Sequence, residues 1–235
     1  METPFKAPSG LKRRFGETWL NPLHLARRRL RAALAAAAPQ AHGRLLDVGC
    51  GSQRYRLLFR NVDVYLGVDL PSNSADNLNL DAFADGLHLP FPTAAFDTVL
   101  CTEVLEHVPE PLVLLTEVAR VLRPGGLLIL TTPQTWGLHE VPHDYYRYTE
   151  YGLRYLAGRA GLNVLVVEPT CGVWATAGQR VASFLFFSVG AGWPLPAKAL
   201  LAGLLVPWQL IAAGLDALFQ HRGDTLDNLL LAKKL

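Results

Sequence analysis

Leu45-Leu46-Asp47-Val48-Gly49-Cys50-Gly51 decides how this chain is read. A short apolar run, suited to a buried strand, ends in an acid and two closely spaced glycines. That combination makes a backbone turn able to bring its N–H groups close to a polar small molecule. A Gly-x-Gly after a strand also serves dinucleotide enzymes, so the turn alone does not choose a ligand. A second acid, Asp69, closes the next apolar run, Val64-Tyr65-Leu66-Gly67-Val68-Asp69. Two successive strand ends, each delivering a carboxylate, suit a ligand with both an amino group and ribose hydroxyls. From Gly43 onward strands and helices alternate, which predicts an α/β fold with a doubly wound, mostly parallel sheet of seven strands. The strands are expected near 44–48, 64–69, 78–81, 97–101, 126–132, 163–168 and 226–233, and helices near 53–59, 111–122 and 149–160.

Further segments follow in order: Asp85-Gly86-Leu87-His88-Leu89-Pro90-Phe91, Phe96-Asp97-Thr98-Val99-Leu100, Glu103-Val104-Leu105-Glu106-His107-Val108, and Glu117 through Gly126. This succession resembles the class I S-adenosylmethionine-dependent methyltransferases, in the methyltransferase type 11-like branch with the quinone and small-molecule enzymes. The resemblance covers about residues 43–172 and returns near 226–234. It departs at Gln53, where the family often has a third glycine. The resemblance implies a Rossmann-like methyltransferase fold with S-adenosyl-L-methionine as cofactor. Asp47, Gly49, Cys50 and Gly51 would then line the methionine half, and Asp69, followed by Leu70, would accept the ribose hydroxyls. Asp85 would accept from the adenine amino group, with Gly86 and Leu87 along the ring, while Thr102 and Glu103 would border the sulfonium. The competing reading of these acids and glycines is ordinary turn chemistry between strands.

Methyl transfer from a sulfonium needs aligned reactants in a closed, apolar site. A general base is needed only for a weakly acidic hydroxyl or a protonated amine. The candidates lie in His139-Glu140-Val141-Pro142-His143-Asp144-Tyr145-Tyr146-Arg147-Tyr148-Thr149, a loop after the fifth strand and so expected above the site. His143 paired with Asp144 is a candidate base, as is His107. His139, Tyr146 and Arg147 are candidate substrate contacts, Arg147 for a phosphate or carboxylate. The alternative is a lid held by its own hydrogen bonds. No metal site is expected, because His139, Glu140, His143 and Asp144 lack a regular ligand spacing.

Length fits one α/β domain with something added. Hydrophobic residues make up 50% of the chain and charged ones 18%. Three separated cysteines, Cys50, Cys101 and Cys171, argue against disulfides and zinc and favour a reducing, cytoplasmic setting. Residues 1–40 carry a net charge of +6 and the rest −4. That basic segment, 1–42, is expected to hold a helix with Leu23, Ala26, Leu30, Ala33, Leu34 and Ala37 on one stripe, Asn21 as its cap and Pro22 in its first turn. Its basic face suits either solvent or anionic lipid; no nucleic-acid partner is expected.

The methyltransferase domain is expected to span 43–172 and 223–235, interrupted at 173–222 by an apolar helical insertion before the last strand. Lys198 is the sole charge between Val181 and Leu215, and the flanking uncharged runs hold 17 residues each. Each would be about 25 Å long if helical, at the short limit for spanning a bilayer, and Pro194, Pro196 and Pro207 are expected to break them. The insertion leaves the sixth strand at the cofactor's end of the sheet. The expected activity is therefore methyl transfer to an oxygen, nitrogen or carbon of a small or lipid-linked acceptor, with the protein peripheral or monotopic at the cytoplasmic membrane face. Two other classes remain: a non-catalytic nucleoside-cofactor-binding protein and a nicotinamide-dependent oxidoreductase.

Overall fold

In a computed structural model of the chain, residues 18–71, 80–219 and 223–235 are described. Lys6, Lys12, Arg13 and Arg14 of the basic segment, and Leu78 and Asn79 of the expected third strand, lie outside them. The described residues form two compact units, one of Ala33–Glu168 with Asn228–Leu235, the other of residues up to Ala32 with Pro169–Asp227.

The first unit is built on a seven-stranded sheet in the order β3-β2-β1-β4-β5-β7-β6. The strands are β1 (Arg44–Val48), β2 (Val64–Asp69), β3 (Ala82–Phe83), β4 (Phe96–Thr102), β5 (Leu122–Pro133), β6 (Leu162–Pro169) and β7 (Asp227–Lys234). β1 pairs in parallel with β2 on one side and with β4 on the other. The chain thus steps outward to β3 and returns beside β1, so the strand order reverses between β1 and β4. In open α/β sheets that reversal opens a crevice at the carboxyl ends of the strands. The register sets Val48 opposite Cys101, bringing the glycine turn after β1 level with the loop after β4.

Apolar runs buried on both faces explain the central strands: Leu45, Leu46, Val99, Leu100, Leu128 and Ile129 are all fully buried. Leu114, Leu115 and Val118 pack into the same core from α2 (Pro111–Val121), and Leu153 and Ala157 from α3 (Glu150–Arg159). Thr149 caps α3, its hydroxyl accepting from the Gly152 N–H at 3.2 Å. α1 (His24–Ala37) buries Leu25, Leu30, Leu34 and Ala37 and exposes Arg28 and Arg31, with Asn21 Oδ1 accepting from the Leu23 N–H ahead of it at 2.8 Å.

Three expectations change. The helix expected at 53–59 is a single 3-10 turn, Arg56–Leu58. Gln53 takes φ +51°, outside helical geometry, and Leu57 is exposed, so Phe59 alone is buried from this segment's apolar residues. The third strand is the short Ala82–Phe83. α2 stops at Val121 because Leu122 extends and pairs with Phe96, so β5 starts four residues before the expected strand.

In the second unit, α4 (Val173–Phe184) continues through a wider turn at Leu185–Val189 and is followed by α5 (Leu195–Leu218). Pro194 and Pro196 mark the start of α5, but Pro207 does not break it: the helix runs 24 residues through that position. Gly178 lets the two helices approach, since a Cβ there would sit 2.3 Å from that of Ala212. Trp208 Nε1 donates to the Gly178 carbonyl at 3.0 Å.

The face that α5 buries holds a single leucine, Leu205, among small or polar residues: Ala202, Gln209, Ala212 and Asp216. Asp216 accepts from Arg29 Nη2 at 3.1 Å and from the Gly172 and Ala175 N–H groups at 3.2 Å each, holding the first turn of α4. Gln179 of α4, wholly buried, accepts from the Ala26 N–H at 3.0 Å and donates to the Pro22 carbonyl at 2.6 Å. The opposite side of α5 exposes Leu200, Leu204, Ile211 and Leu218.

Candidate functional site

At the end of β1 the chain turns through Gly49 (φ +70°) and Gly51 (φ +49°). A side chain at Gly49 would strike Val104 at 2.3 Å, so the close packing of the loop after β4 requires glycine there. Gly51 is different. A Cβ there would meet nothing within 4 Å, so the turn has open space above it. Asp69 holds the turn in place: its Oδ2 accepts from the Gly51 N–H at 2.9 Å and its Oδ1 from the Leu70 N–H at 2.7 Å.

Asp47 is 3% exposed, and its Oδ2 accepts from Tyr65 Oη at 2.5 Å. Its Oδ1 is buried with no hydrogen-bond partner among the described residues. Burial pushes the Asp47 carboxyl up to about 7, against the Tyr65 hydrogen bond and with the charge of Asp69. A buried carboxylate with one oxygen unanswered, beside an open glycine turn, fits a bound group that carries a cationic donor. Cys50 lies buried in the same turn, its thiol pushed up to about 12 by burial and three nearby acids, so it stays protonated.

Gln53 fills the place of the expected third glycine and adopts the same left-handed backbone. Its Nε2 donates to Asp81 Oδ2 at 2.9 Å, and the same oxygen accepts from the Gly67 N–H at 2.8 Å. Gly67 leaves the room for this, since a Cβ there would lie 2.5 Å from Gln53 Nε2. Tyr65 and Asp81 were not singled out from sequence, and Gln53 was noted only as a departure from glycine. The period-2 rule could have found Tyr65, which shares a strand face with Gly67 and Asp69.

Asp85 is exposed and its Oδ1 accepts from the Leu87 N–H at 2.9 Å, so it closes its own turn; Gly86 packs against Leu114. Thr102 ends β4. Glu103 follows it at φ +54°, its N–H donating to the Thr131 carbonyl at 3.0 Å.

Beyond Glu103 the loop residues regroup relative to expectation. Asp144 does not pair with His143. It accepts from both terminal nitrogens of Arg147, at 2.7 and 2.8 Å, and from the His139 N–H at 2.9 Å, with His139 Nδ1 3.4 Å away. The Arg147 hydrogen bonds hold the Asp144 carboxyl well below the usual range. His143 is exposed, its Nδ1 3.2 Å from Tyr145 Oη. Proximity in sequence suggested the wrong partner, because the chain reverses between His139 and Asp144 and brings their side chains together.

Arg147 also donates to the carbonyls of Trp136, Gly137 and Tyr146, which commits all five of its N–H groups within the protein. It braces the loop and has no donor left for an anion. Tyr146 is half-exposed and donates to the Pro109 carbonyl at 3.0 Å.

His107 and His139 meet edge to face, ring centroids 4.6 Å apart. Burial, followed by the neighbouring His107, lowers the His139 imidazole from its ordinary value. Glu106, wholly buried and not among the expected site residues, stands beside them with Oε1 3.6 Å from His107 Nε2. Burial and Glu103 push its carboxyl up to about 9. The site therefore has two parts: a cradle of Asp47, Gly49–Gly51 and Asp69, and a polar cluster of Glu106, His107, His139 and Asp144.

Known proteins resemble the chain over this region. The family profile described as a methyltransferase domain matches residues 46–130. The chain is 35% identical over 117 residues to 27-O-demethylrifamycin SV methyltransferase of Amycolatopsis mediterranei, a match covering 43% of each chain. It is 30% identical over 142 residues to a ubiquinone biosynthesis O-methyltransferase of Xanthomonas euvesicatoria, covering 54% of this chain and 57% of that one. The chain spans about half the length of these curated relatives. Among solved structures, the cyclase SpnF superposes with a TM-score of 0.61 at 21% identity, over 88% of this chain and 80% of that one, a likeness of fold. Residues 46–130 are thus similar to a methyltransferase domain, and the glycine cradle lies within that matched stretch.

Proposed function

We propose that the protein transfers a methyl group from S-adenosyl-L-methionine to an acceptor oxygen. The reading is carried by the buried Asp47 carboxylate, whose free Oδ1 lies beside the open Gly51 turn. Asp47 would take the cofactor's ammonium group and Asp69 its ribose hydroxyls, the latter while still ordering the turn. The relatives named as O-methyltransferases support oxygen as the methylated atom. The cofactor supplies an electrophilic methyl; the chain supplies alignment and a polar cluster, Glu106, His107 and His139, to meet the acceptor's hydroxyl.

Calorimetric titration with S-adenosylhomocysteine and, separately, with NAD tests this. The expected result is binding of the first and none of the second. Asp69→Ala should weaken S-adenosylhomocysteine by about 1.5–3 kcal/mol; unchanged affinity would remove Asp69 from the cradle.

The acceptor we infer is poorly water-soluble or lipid-linked, presented at an anionic membrane surface. In the helical unit α5 is long and apolar enough to cross a membrane by length and composition, yet only 28% of its most apolar stretch is buried. An exposed apolar stripe of that size marks an interaction surface. Trp193 and Trp208, both part-exposed, are side chains that favour membrane interfaces. Pelleting of the full chain with anionic vesicles, lost in the Leu204→Lys, Ile211→Lys double variant, is the expected result. A chain that stays in the supernatant without detergent would remove the membrane reading and leave the cofactor reading untouched.

A further inference from the structure

In the polar cluster two imidazoles and a buried carboxyl converge. His107 Nδ1 lies 2.7 Å from the His143 carbonyl oxygen, which can only accept, so Nδ1 carries a proton and Nε2 is the ring atom left for a ligand. His139 repeats the arrangement: its Nδ1 faces the Gly137 carbonyl at 3.2 Å and Asp144 Oδ2 at 3.4 Å. That places a proton there and leaves Nε2 for a ligand too. Glu106, wholly buried, contributes an Oε1 with no hydrogen-bond partner among the described residues. One ligand atom from each of the three residues lies within 4.8 Å of the others.

We propose that Glu106, His107 and His139 form a site for a divalent first-row metal ion. Three features favour coordination over a plain hydrogen-bond cluster. The 3.6 Å between His107 Nε2 and Glu106 Oε1 is too long for a hydrogen bond. It is close to the edge of about 3.4 Å that separates two ligands each about 2.1 Å from a tetrahedral ion. Both imidazoles have Nδ1–H held by a carbonyl or carboxylate, the outer-shell arrangement that orients a ligating histidine. Glu140 Oε2, on an exposed side chain 4.0 Å from His107 Nε2, adds a carboxyl beside the site while leaving a coordination position open. Two imidazoles and a carboxylate suit zinc, manganese or iron(II) better than calcium or magnesium, which prefer oxygen alone.

This inference rests on the proposed methyl transfer for its purpose. With three protein ligands, an ion keeps a position open for the acceptor's oxygen. It would lower the pKa of an acceptor hydroxyl so that its proton passes to solvent water before the oxygen takes the methyl, leaving S-adenosylhomocysteine. The expected acceptor is then one whose hydroxyl, alone or with a neighbouring oxygen, can bind a metal. The ligand set could not be found from spacing, because it joins the turn after β4 to the loop after β5.

The test uses the full chain without a histidine tag, stripped by chelator and titrated with Co²⁺, whose visible d–d absorption reports nitrogen and oxygen ligands. We expect one Co²⁺ per chain, displaced by Zn²⁺. His139→Ala and Glu106→Gln should each weaken binding by more than the 10–100-fold, roughly, that losing an outer partner costs. His143→Ala, which keeps the carbonyl that orients His107, should bind as the parent does. S-adenosylhomocysteine affinity in each variant reports whether the cradle still folds. Absence of a stoichiometric Co²⁺ spectrum in the parent, or binding unchanged in the His139→Ala, Glu106→Gln double variant, overturns the proposal. Loss of S-adenosylhomocysteine binding by the parent would instead overturn the methyltransferase reading, whatever the metal does.

Discussion

The two units of this protein distribute their side chains in opposite senses. In the sheet unit leucines and valines point inward, and the buried acids stand at the carboxyl ends of the strands. In the helical unit α5 turns Gln209 and Asp216 inward and Leu200, Leu204, Ile211 and Leu218 outward. A soluble core is held by apolar burial. The α4–α5 pair is held instead by close approach at Gly178 and by the hydrogen bonds of Asp216 and Trp208. The buried acids differ in the same way. Asp216 has both oxygens engaged by protein donors, whereas Asp47 keeps one unanswered. The first serves the fold; the second is available to a ligand.

The largest effect expected is in the sheet. Leu128→Ala should lower stability by about 2–5 kcal/mol, seen as a reduced denaturant midpoint. A loss below about 1 kcal/mol would mean the sheet is not the more apolar core of the two. Asp216→Ala comes next, at about 1.5–3 kcal/mol, because two N–H groups at the start of α4 lose their acceptor.

Asp47→Asn should separate the two buried acids. Folded Asp47 holds its proton to about pH 7, while the unfolded chain releases it near 3.8. This group therefore favours unfolding progressively as pH rises through that window. The Asn variant should be no less stable than the parent at pH 8, yet bind S-adenosylhomocysteine more weakly. In the parent, affinity should fall as pH drops below 7, by at most about tenfold per unit, and the Asn variant should show no such slope. A parallel slope in both would assign the titration elsewhere. Smallest in stability is Leu204→Lys, expected within about 0.5 kcal/mol of the parent. A larger loss would mean that this stripe is packed within the protein.

Much of the sheet and the cradle was legible because local rules govern them. A strand end, a glycine turn and an acid are adjacent in sequence, and Asp69 reaches that turn from the neighbouring strand to accept from the Gly51 N–H. The polar loop was legible only as a concentration of chemistry. Its partnerships depend on chain reversals, so Asp144 meets His139 and Arg147, while His143 points elsewhere. Glu106 was passed over because its importance comes from burial, and nothing in Leu105-Glu106-His107 announces that. The short turn at 56–58 was misread as a helix because one residue, Gln53, takes a backbone conformation that its side-chain type does not advertise.

Pro207 sits near the midpoint of α5 and has no N–H, so the Gly203 carbonyl one turn earlier cannot receive its usual helical bond. Gly203 and Pro207 are both exposed. Were α5 to stand upright in a bilayer, this bare carbonyl would reach the hydrocarbon midplane, where each unanswered polar group costs several kcal/mol, roughly. Laid flat, the same carbonyl stays at the depth of water and lipid hydroxyls. Under the proposed membrane reading, this single proline therefore favours a helix lying flat over one standing upright.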